Sequence, residues 1–232
     1  GSRRFTLPKV YPIGPETVPY SIAINDFNND EKVDLALNYR NKEMIVVFLQ
    51  TSTEPFGPST TVYTGNNSLP SSVTISDFNN DHLSDIATTN LGAKSIDIFL
   101  GCGNGTFHLP MTYSIGVNAS PMSMAVGDFN TDLLPDVAVI DNGTNTVHIL
   151  LGFGNGTFSV VKTYSTGLES DPSAIVTADL NKDSFLDIVI SNRGTDNLLV
   201  FLGIGNGTFS RPKVYSVGYN SGPESIAIGD IN

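Results

Sequence analysis

Asp77-Phe78-Asn79-Asn80-Asp81-His82-Leu83-Ser84-Asp85 is a short loop of acidic and amide side chains, and the chain repeats it at a fixed interval. Equivalent loops open at Asp26, Asp128, Asp179 and Asp230, each 51 residues from the next. The complete copies end at Asp34, Asp85, Asp136 and Asp187, while the fifth holds only Asp230-Ile231-Asn232. Every complete copy places oxygen-bearing side chains at loop positions 1, 3, 5 and 9. A period of this size marks a solenoid or propeller, whose units bury their apolar faces only against their neighbours.

Outward from each loop, a unit divides into four short β-like runs separated by turn chemistry, the pattern of one antiparallel propeller blade. In the third unit these runs, A to D, cover 123–127, 137–140, 146–151 and 161–164. The first unit repeats them at 22–24, 35–37, 44–49 and 61–63, the fourth at 174–177, 188–190, 198–202 and 213–215. Nearly continuous aliphatic and β-branched residues at B and C suit strands buried on both faces between blades. No segment has a helical period. The expectation is an all-β propeller built from 51-residue four-stranded antiparallel blades, at approximately 21–64, 72–114, 123–165 and 174–216.

Between C and D lies Gly101-Cys102-Gly103-Asn104-Gly105-Thr106-Phe107, repeated from Gly152 to Phe158 and from Gly203 to Phe209. Asn-Gly signals a tight turn because both residues accept positive φ, and the Phe that follows can anchor in the core. The first unit, from Gln50 to Phe56, keeps only that anchor. Alternating strand directions put the acidic loops and these hairpins on one face. The other face carries the segments that differ most between units, at 15–19, 66–70, 118–121, 169–172 and 220–223, together with the B–C loops.

With its acidic loop, following strand and Gly-Asn-Gly-Thr-Phe hairpin, essentially the whole chain resembles the FG-GAP/VCBS repeat family, whose units form β-propeller blades as in the head of integrin α subunits. The resemblance implies a propeller usually of seven blades and leaves function open among adhesion receptors, lectin-like proteins and polysaccharide-degrading enzymes. Here residues 1–232 read as one repeat domain with four complete blades, a D-like strand at 5–11 before them and an A-like strand at 225–228 in a partial blade 225–232. The ring is therefore partial, or completed in trans by another copy. Open blade edges invite self-association.

Ca²⁺ takes six to eight oxygens from carboxylates, amides and carbonyls, and Asp-x-Asn-x-Asp-x-x-x-Asp offers that set. The candidate ligands of the first loop are Asp26, Asn28, Asp30 and Asp34 with the carbonyl of Lys32. By equivalence the others use Asp77, Asn79, Asp81, Asp85 and Leu83; Asp128, Asn130, Asp132, Asp136 and Leu134; and Asp179, Asn181, Asp183, Asp187 and Phe185. About four Ca²⁺ sites result. Mg²⁺ prefers a rigid octahedron with retained water, and Zn²⁺ lacks grouped Cys and His. These are not EF-hands, because position 12 holds Leu37, Thr88, Val139 and Ile190 instead of a bidentate Glu. The competing reading is that Asp and Asn cap tight turns. Against it, three carboxylates gathered in each of four loops repel one another without a cation. Loops of the family usually carry Gly at positions 4 and 6, where this chain has Asn29 and Glu31, Asn80 and His82, Thr131 and Leu133, and Lys182 and Ser184. Thr and Leu are strained in left-handed geometry, so the third loop is expected to bind most weakly.

Composition agrees. Thirteen of the 23 acidic residues are aspartates of these loops, and four divalent cations would bring the formal charge of −11 to −3. Twelve scattered Lys and Arg make nucleic acid an unsuitable partner. No apolar run approaches the roughly 18 residues of a membrane span. One cysteine, Cys102, excludes an internal disulfide framework, and no signal peptide is visible.

The leading function is a calcium-binding, non-catalytic interaction or adhesion module, extracellular or at the cell surface, whose opposite face binds a protein or glycan. Millimolar extracellular Ca²⁺ fills even weak sites. Six sequons, at Asn66, Asn104, Asn118, Asn142, Asn155 and Asn206, suit a secreted glycoprotein, though three are hairpins that turn chemistry alone would produce. The alternative is a carbohydrate-binding or polysaccharide-degrading propeller. The chain has no Trp, and Tyr20, Tyr39 and Tyr219 are its off-pattern candidate platforms. His82, His108 and His148 are scattered, and Cys102 takes the variable hairpin position of Phe153 and Ile204, so no enzyme activity is expected.

Overall fold

The computed structural model describes residues 10, 17–52, 56–57 and 59–229. Among them are sixteen strands and no helix. The first blade is β1 (Pro19–Asn25), β2 (Asp34–Tyr39), β3 (Met44–Phe48) and β4 (Ser59–Tyr63). The second is β5 (Pro70–Ser76), β6 (Asp85–Asn90), β7 (Ser95–Phe99) and β8 (Met111–Ser114). The third is β9 (Pro121–Gly127), β10 (Asp136–Asp141), β11 (Thr146–Gly152) and β12 (Phe158–Ser165), and the fourth is β13 (Pro172–Ala178), β14 (Asp187–Asn192), β15 (Asn197–Phe201) and β16 (Lys213–Ser216). Each sheet keeps chain order and is antiparallel throughout. The first strands of successive blades, β1, β5, β9 and β13, lie side by side.

These strands extend the apolar runs at their ends. Each A strand begins at a proline, Pro19, Pro70, Pro121 or Pro172, two or three residues before the aliphatic pattern, and the pairing register shifts just after it. A proline has no N–H for the ladder, so the start of a strand beside a bulge is where a sheet accepts it. The bulge residue Ser71 donates its hydroxyl to Pro121 O of the next blade at 2.8 Å, and Ser173 repeats this to Pro223 O at 2.6 Å. The chain thus reaches the fifth inner position at Pro223. Residues 225–228, expected as an A-like strand, are not a strand here: an inner strand pairs with strand B of its own unit, and no such partner lies beside them among the described residues. Residues 5–9 and 11, like Asp230, lie outside the described residues; Val10 is exposed.

Hydrophobic burial sits between blades. Alternation sends Ile86 of β6 towards the first blade, with Ala36, Ile45 and Val47, and its neighbour Ala87 towards the third, with Val137, Val139 and Leu150. Ala138, Val147 and Ile149 meet Ile188, Ile190 and Phe201 in the same way. The strands β6, β10 and β14 are buried at every position, as expected of B strands covered on both faces. Burying each Val, Ile or Phe side chain contributes about 1.5–3 kcal/mol, so stability lies mainly in the blade interfaces.

Candidate metal loops and the face they share

In every loop the position-9 aspartate is wholly buried at the start of its B strand. Its two oxygens accept two backbone amides. Asp85 takes Phe78 N at 2.8 Å and Gly101 N at 2.7 Å, and Asp136 takes Phe129 N and Gly152 N, both at 2.8 Å. Asp34 binds Phe27 N and Gln50 N, and Asp187 binds Leu180 N and Gly203 N. One carboxylate therefore ties the acidic loop to the start of its own hairpin. Burial pushes Asp85 and Asp136 up to about 6; the amide bonds oppose this, and the nearby loop carboxylates add to it. At Gly101, Gly152 and Gly203 a side chain has no room, because an added Cβ would lie 2.3–2.4 Å from the carbonyl oxygen of Ser84, Pro135 or Leu186.

Positions 1, 3 and 5 come together at the loop surface. Asp77 accepts Asp81 N at 3.0 Å and His82 N at 2.7 Å, Asn79 Nδ2 donates to Asp81 Oδ2 at 2.8 Å, and Leu83 N donates to Asp81 Oδ1 at 2.8 Å. Asp128, Asn130 and Asp132 repeat the set, as do Asp179, Asn181 and Asp183. In the first loop Asp26 accepts Asp30 N and Glu31 N, but Lys32 Nζ lies 2.7 Å from Asp30 Oδ2, and that bond holds the Asp30 carboxyl below its ordinary value. Asn28 Oδ1 is buried there without a hydrogen-bond partner. At position 7, Leu83, Leu134 and Phe185 lie over Gly103, Gly154 and Gly205 of their own hairpins. Among the described residues no three acidic, His or Cys side chains converge on one point, since position 9 turns inward to the amides. In kind, the donors at positions 1, 3 and 5 fit a hard cation, and the orphaned Asn28 oxygen is free to serve one.

Positions 4 and 6 are left-handed in all four loops. Asn29 and Glu31 have φ of 58° and 64°, Asn80 and His82 61° and 64°, Thr131 and Leu133 63° and 68°, and Lys182 and Ser184 62° and 72°. All four loops thus adopt one backbone conformation despite different side chains. Non-glycine residues in this region cost of order 1 kcal/mol each and persist where surrounding contacts fix them.

The hairpins meet these loops across the blade boundary. Gly105 N donates to Phe27 O of the preceding blade at 2.9 Å, Gly156 N to Phe78 O at 2.9 Å, and Gly207 N to Phe129 O at 2.8 Å. The hairpin anchors Phe107, Phe158 and Phe209 meet the same three phenylalanines edge to face, with centroids 5.5–5.8 Å apart. The turn chemistry differs from the sequence expectation in one respect. Gly103 and Gly105 have φ of 71° and 80°, but Asn104 between them is not left-handed. Asn104 acts through its side chain, Oδ1 accepting Thr106 N at 3.0 Å and Thr106 Oγ1 at 2.6 Å, and Asn155 and Asn206 do the same.

Of the candidate aromatic platforms, Tyr39 is fully buried and so cannot present a ring to a sugar. Tyr20 is exposed beneath the Arg40 guanidinium, 5.0 Å from the ring centre, and Tyr219 is fully exposed on the opposite face. His82 stands in solvent. His148 belongs to a polar cluster that sequence periodicity does not mark: Nδ1 is 3.0 Å from Thr163 Oγ1, and Nε2 is 3.2 Å from Thr146 Oγ1 and 3.4 Å from the buried Asp141. Burial raises the Asp141 carboxyl, but bonds from His148, Ser120 and Thr144 outweigh it and hold the group below its ordinary value. The trace of this cluster in the sequence is His148 itself, polar where the first and fourth units have Val46 and Leu199; Asp97, at that position in the second unit, binds Asn90 and Thr112 instead.

Four-stranded blades packed face to face around adjoining inner strands define a β-propeller segment. The FG-GAP-like repeat model matches residues 26–88, 77–139, 128–190 and 179–232, and the chain belongs to that family. T-cell immunomodulatory protein of Rattus norvegicus is 27% identical over 184 residues, which is 77% of this chain and 30% of that protein. The chain therefore spans less than a third of that relative. Among solved structures, a streptogramin B lyase superposes with a TM-score of 0.66 at 17% identity, covering 92% of this chain and 59% of the lyase. The periplasmic gluconolactonase of Pseudomonas aeruginosa gives 0.68 at 16% identity, covering 87% and 55%. At such identities these two share the fold alone.

Proposed function

We propose that this propeller segment is a calcium-stabilised, non-catalytic interaction module, extracellular or at the cell surface, and that its partner, a protein or glycan, binds the face opposite the acidic loops. The observation that carries the calcium reading is the common conformation of the four loops, with eight non-glycine residues held left-handed and the side chains of positions 1, 3 and 5 gathered at each surface. Asp26, Asn28 and Asp30, with their equivalents in the other loops, would hold the ion, with Asp34, Asp85, Asp136 and Asp187 behind them. A bound cation supplies charge neutralisation and rigidity, not chemistry. The partner face is supported by Val117, Leu168 and Tyr219, which stand almost fully exposed at equivalent turn tips of three successive units. Exposed apolar groups on variable loops of a rigid scaffold suit recognition.

The test is thermal unfolding in millimolar CaCl₂ against excess EDTA, with MgCl₂ as control. A ligand that binds only the folded state stabilises it, by about 2.7 kcal/mol per site at a hundredfold excess over Kd. A rise in Tm with Ca²⁺ and not Mg²⁺ is expected, smaller in the Asp77→Asn/Asp81→Asn variant. Identical melts in all three media would reduce the loops to turn caps. Site-resolved titration is expected to fill the loop of Asp128 to Asp136 last.

A further inference from the structure

The first acidic loop departs from the other three at one side chain. In the second, third and fourth loops the position-5 aspartate is held by the asparagine of its own loop: Asn79 Nδ2 donates to Asp81 Oδ2, Asn130 Nδ2 to Asp132 Oδ2 and Asn181 Nδ2 to Asp183 Oδ2, each at 2.8 Å. The asparagine oxygens accept the amides of Asp81, Asp132 and Asp183 at 3.3, 3.2 and 3.1 Å. In the first loop the Lys32 ammonium lies 2.7 Å from Asp30 Oδ2, and Asn28 Oδ1 is buried with no hydrogen-bond partner. The blade that covers this loop is in place, since Phe27 O receives Gly105 N, so the difference belongs to the loop's own residues. Position 7 explains why a lysine is accepted here. Leu83, Leu134 and Phe185 cover Gly103, Gly154 and Gly205 of their own hairpins, whereas the first unit has Ser52 at that place. A side chain with no glycine to cover is free to reach back to position 5. The fourth loop also has a lysine, Lys182, but at position 4, and its Asp183 keeps the asparagine bond.

We propose that Lys32 is a tethered cation that competes with Ca²⁺ for the first loop and sets its calcium threshold above that of the second. This rests on the calcium reading of the loops. The ammonium sits on a carboxylate oxygen that an ion at this loop requires, so Ca²⁺ enters as Nζ withdraws. Withdrawal breaks an ion pair and still leaves one positive charge within reach of a divalent one. The side chains of Lys32 and Asp30 are 36% and 30% exposed, so solvent screens both effects and the penalty is severalfold in affinity, not orders of magnitude. Without metal, the same ammonium offsets part of the charge that Asp26, Asp30 and Asp34 gather. The first loop therefore depends less on a bound cation than the second does. The backbone carbonyl of Lys32 stays available to the ion once the side chain has left.

The position-6 amides of Glu31, His82, Leu133 and Ser184 each donate to the first aspartate of their own loop, and so report the four loops separately. Amide NMR of the 232-residue chain during a CaCl₂ titration tests the proposal. In the wild type the Glu31 midpoint is expected above that of His82, with Leu133 last because of its own strained backbone. Lys32→Met removes the charge and keeps the carbonyl. It is expected to lower the Glu31 midpoint by about fivefold and to leave His82 and Ser184 unmoved. Lys32→Arg keeps the charge and should stay close to the wild type. The rise in Tm from EDTA to CaCl₂ is expected to be larger in Lys32→Met, because the metal-free loop loses its counter-charge and the loaded loop its competitor. A Glu31 midpoint that does not move in Lys32→Met, while His82 and Ser184 titrate, overturns the proposal and leaves the calcium reading standing. Four amides that ignore CaCl₂ in both proteins overturn the two together.

Discussion

Asp136 shows how much one carboxylate does in this repeat. Its two oxygens hold two amides from segments sixteen residues apart, Phe129–Asp136 and Gly152, and it is fully buried while doing so. Its folded pKa, like that of Asp85, is raised from 3.8 to about 6. Between those values the folded state binds more protons than the unfolded one, so this contribution is full below the unfolded pKa and is lost as pH rises through 6. Carboxyls held below their ordinary value, such as Asp171 beside Arg193, act in the opposite sense and only below the ordinary carboxylate range. Asp136→Asn turns an NH₂ towards one of the two amides, a mismatch worth about 1–3 kcal/mol, and it cannot titrate. Urea unfolding in EDTA should therefore show a deficit for Asp136→Asn near pH 5 that narrows towards pH 7. A deficit that widens over that interval would contradict the raised pKa. The aspartate is legible as a loop residue from spacing alone. Its inward turn is not, because the amides it binds come from a hairpin that only folding brings alongside.

At the scale of the element, the acidic loop imposes one backbone path on four different sequences. Leu133 makes this costly in the third loop, being almost fully exposed with φ of 68°. Nothing is gained from its side chain to offset a left-handed backbone. Leu133→Gly relieves that strain but gives the unfolded chain more freedom, and the relief outweighs the added freedom. The variant should be more stable than wild type by up to about 1 kcal/mol, seen as a higher urea midpoint with an unchanged slope. A lower midpoint would mean that the loop is not strained there. The hairpins are recognisable from Gly-Asn-Gly-Thr-Phe, but Asn104 departs from the turn expected of it, its side-chain bond to Thr106 replacing a left-handed backbone. Local signals of this kind identify a turn more securely than its dihedral angles, because several turn types share Asn and Gly.

At the scale of the whole molecule, stability passes from blade to blade. Each blade interface joins an apolar cluster to a hairpin lock, so the two middle blades have two such supports and the outer blades one. In dilute solution, amide exchange should be slowest in β6 and β10 and faster in β2 and β15, the order expected when stability is a sum of nearest-neighbour interactions. Equal protection across the four blades would instead point to a single cooperative core. The amino-acid sequence by itself determined the period, the four strands of each blade, the burial of the B strands and the shared face of loops and hairpins. Those are properties of local pattern repeated at constant spacing. Only the tertiary structure decided that Phe27 receives Phe107, that the position-9 carboxylates face inward, and that Ile22 and Leu180 stand open while their equivalents are buried. The reason is physical: each of these depends on which blade stands alongside, and a residue's own segment reads the same whether that neighbour is present or not.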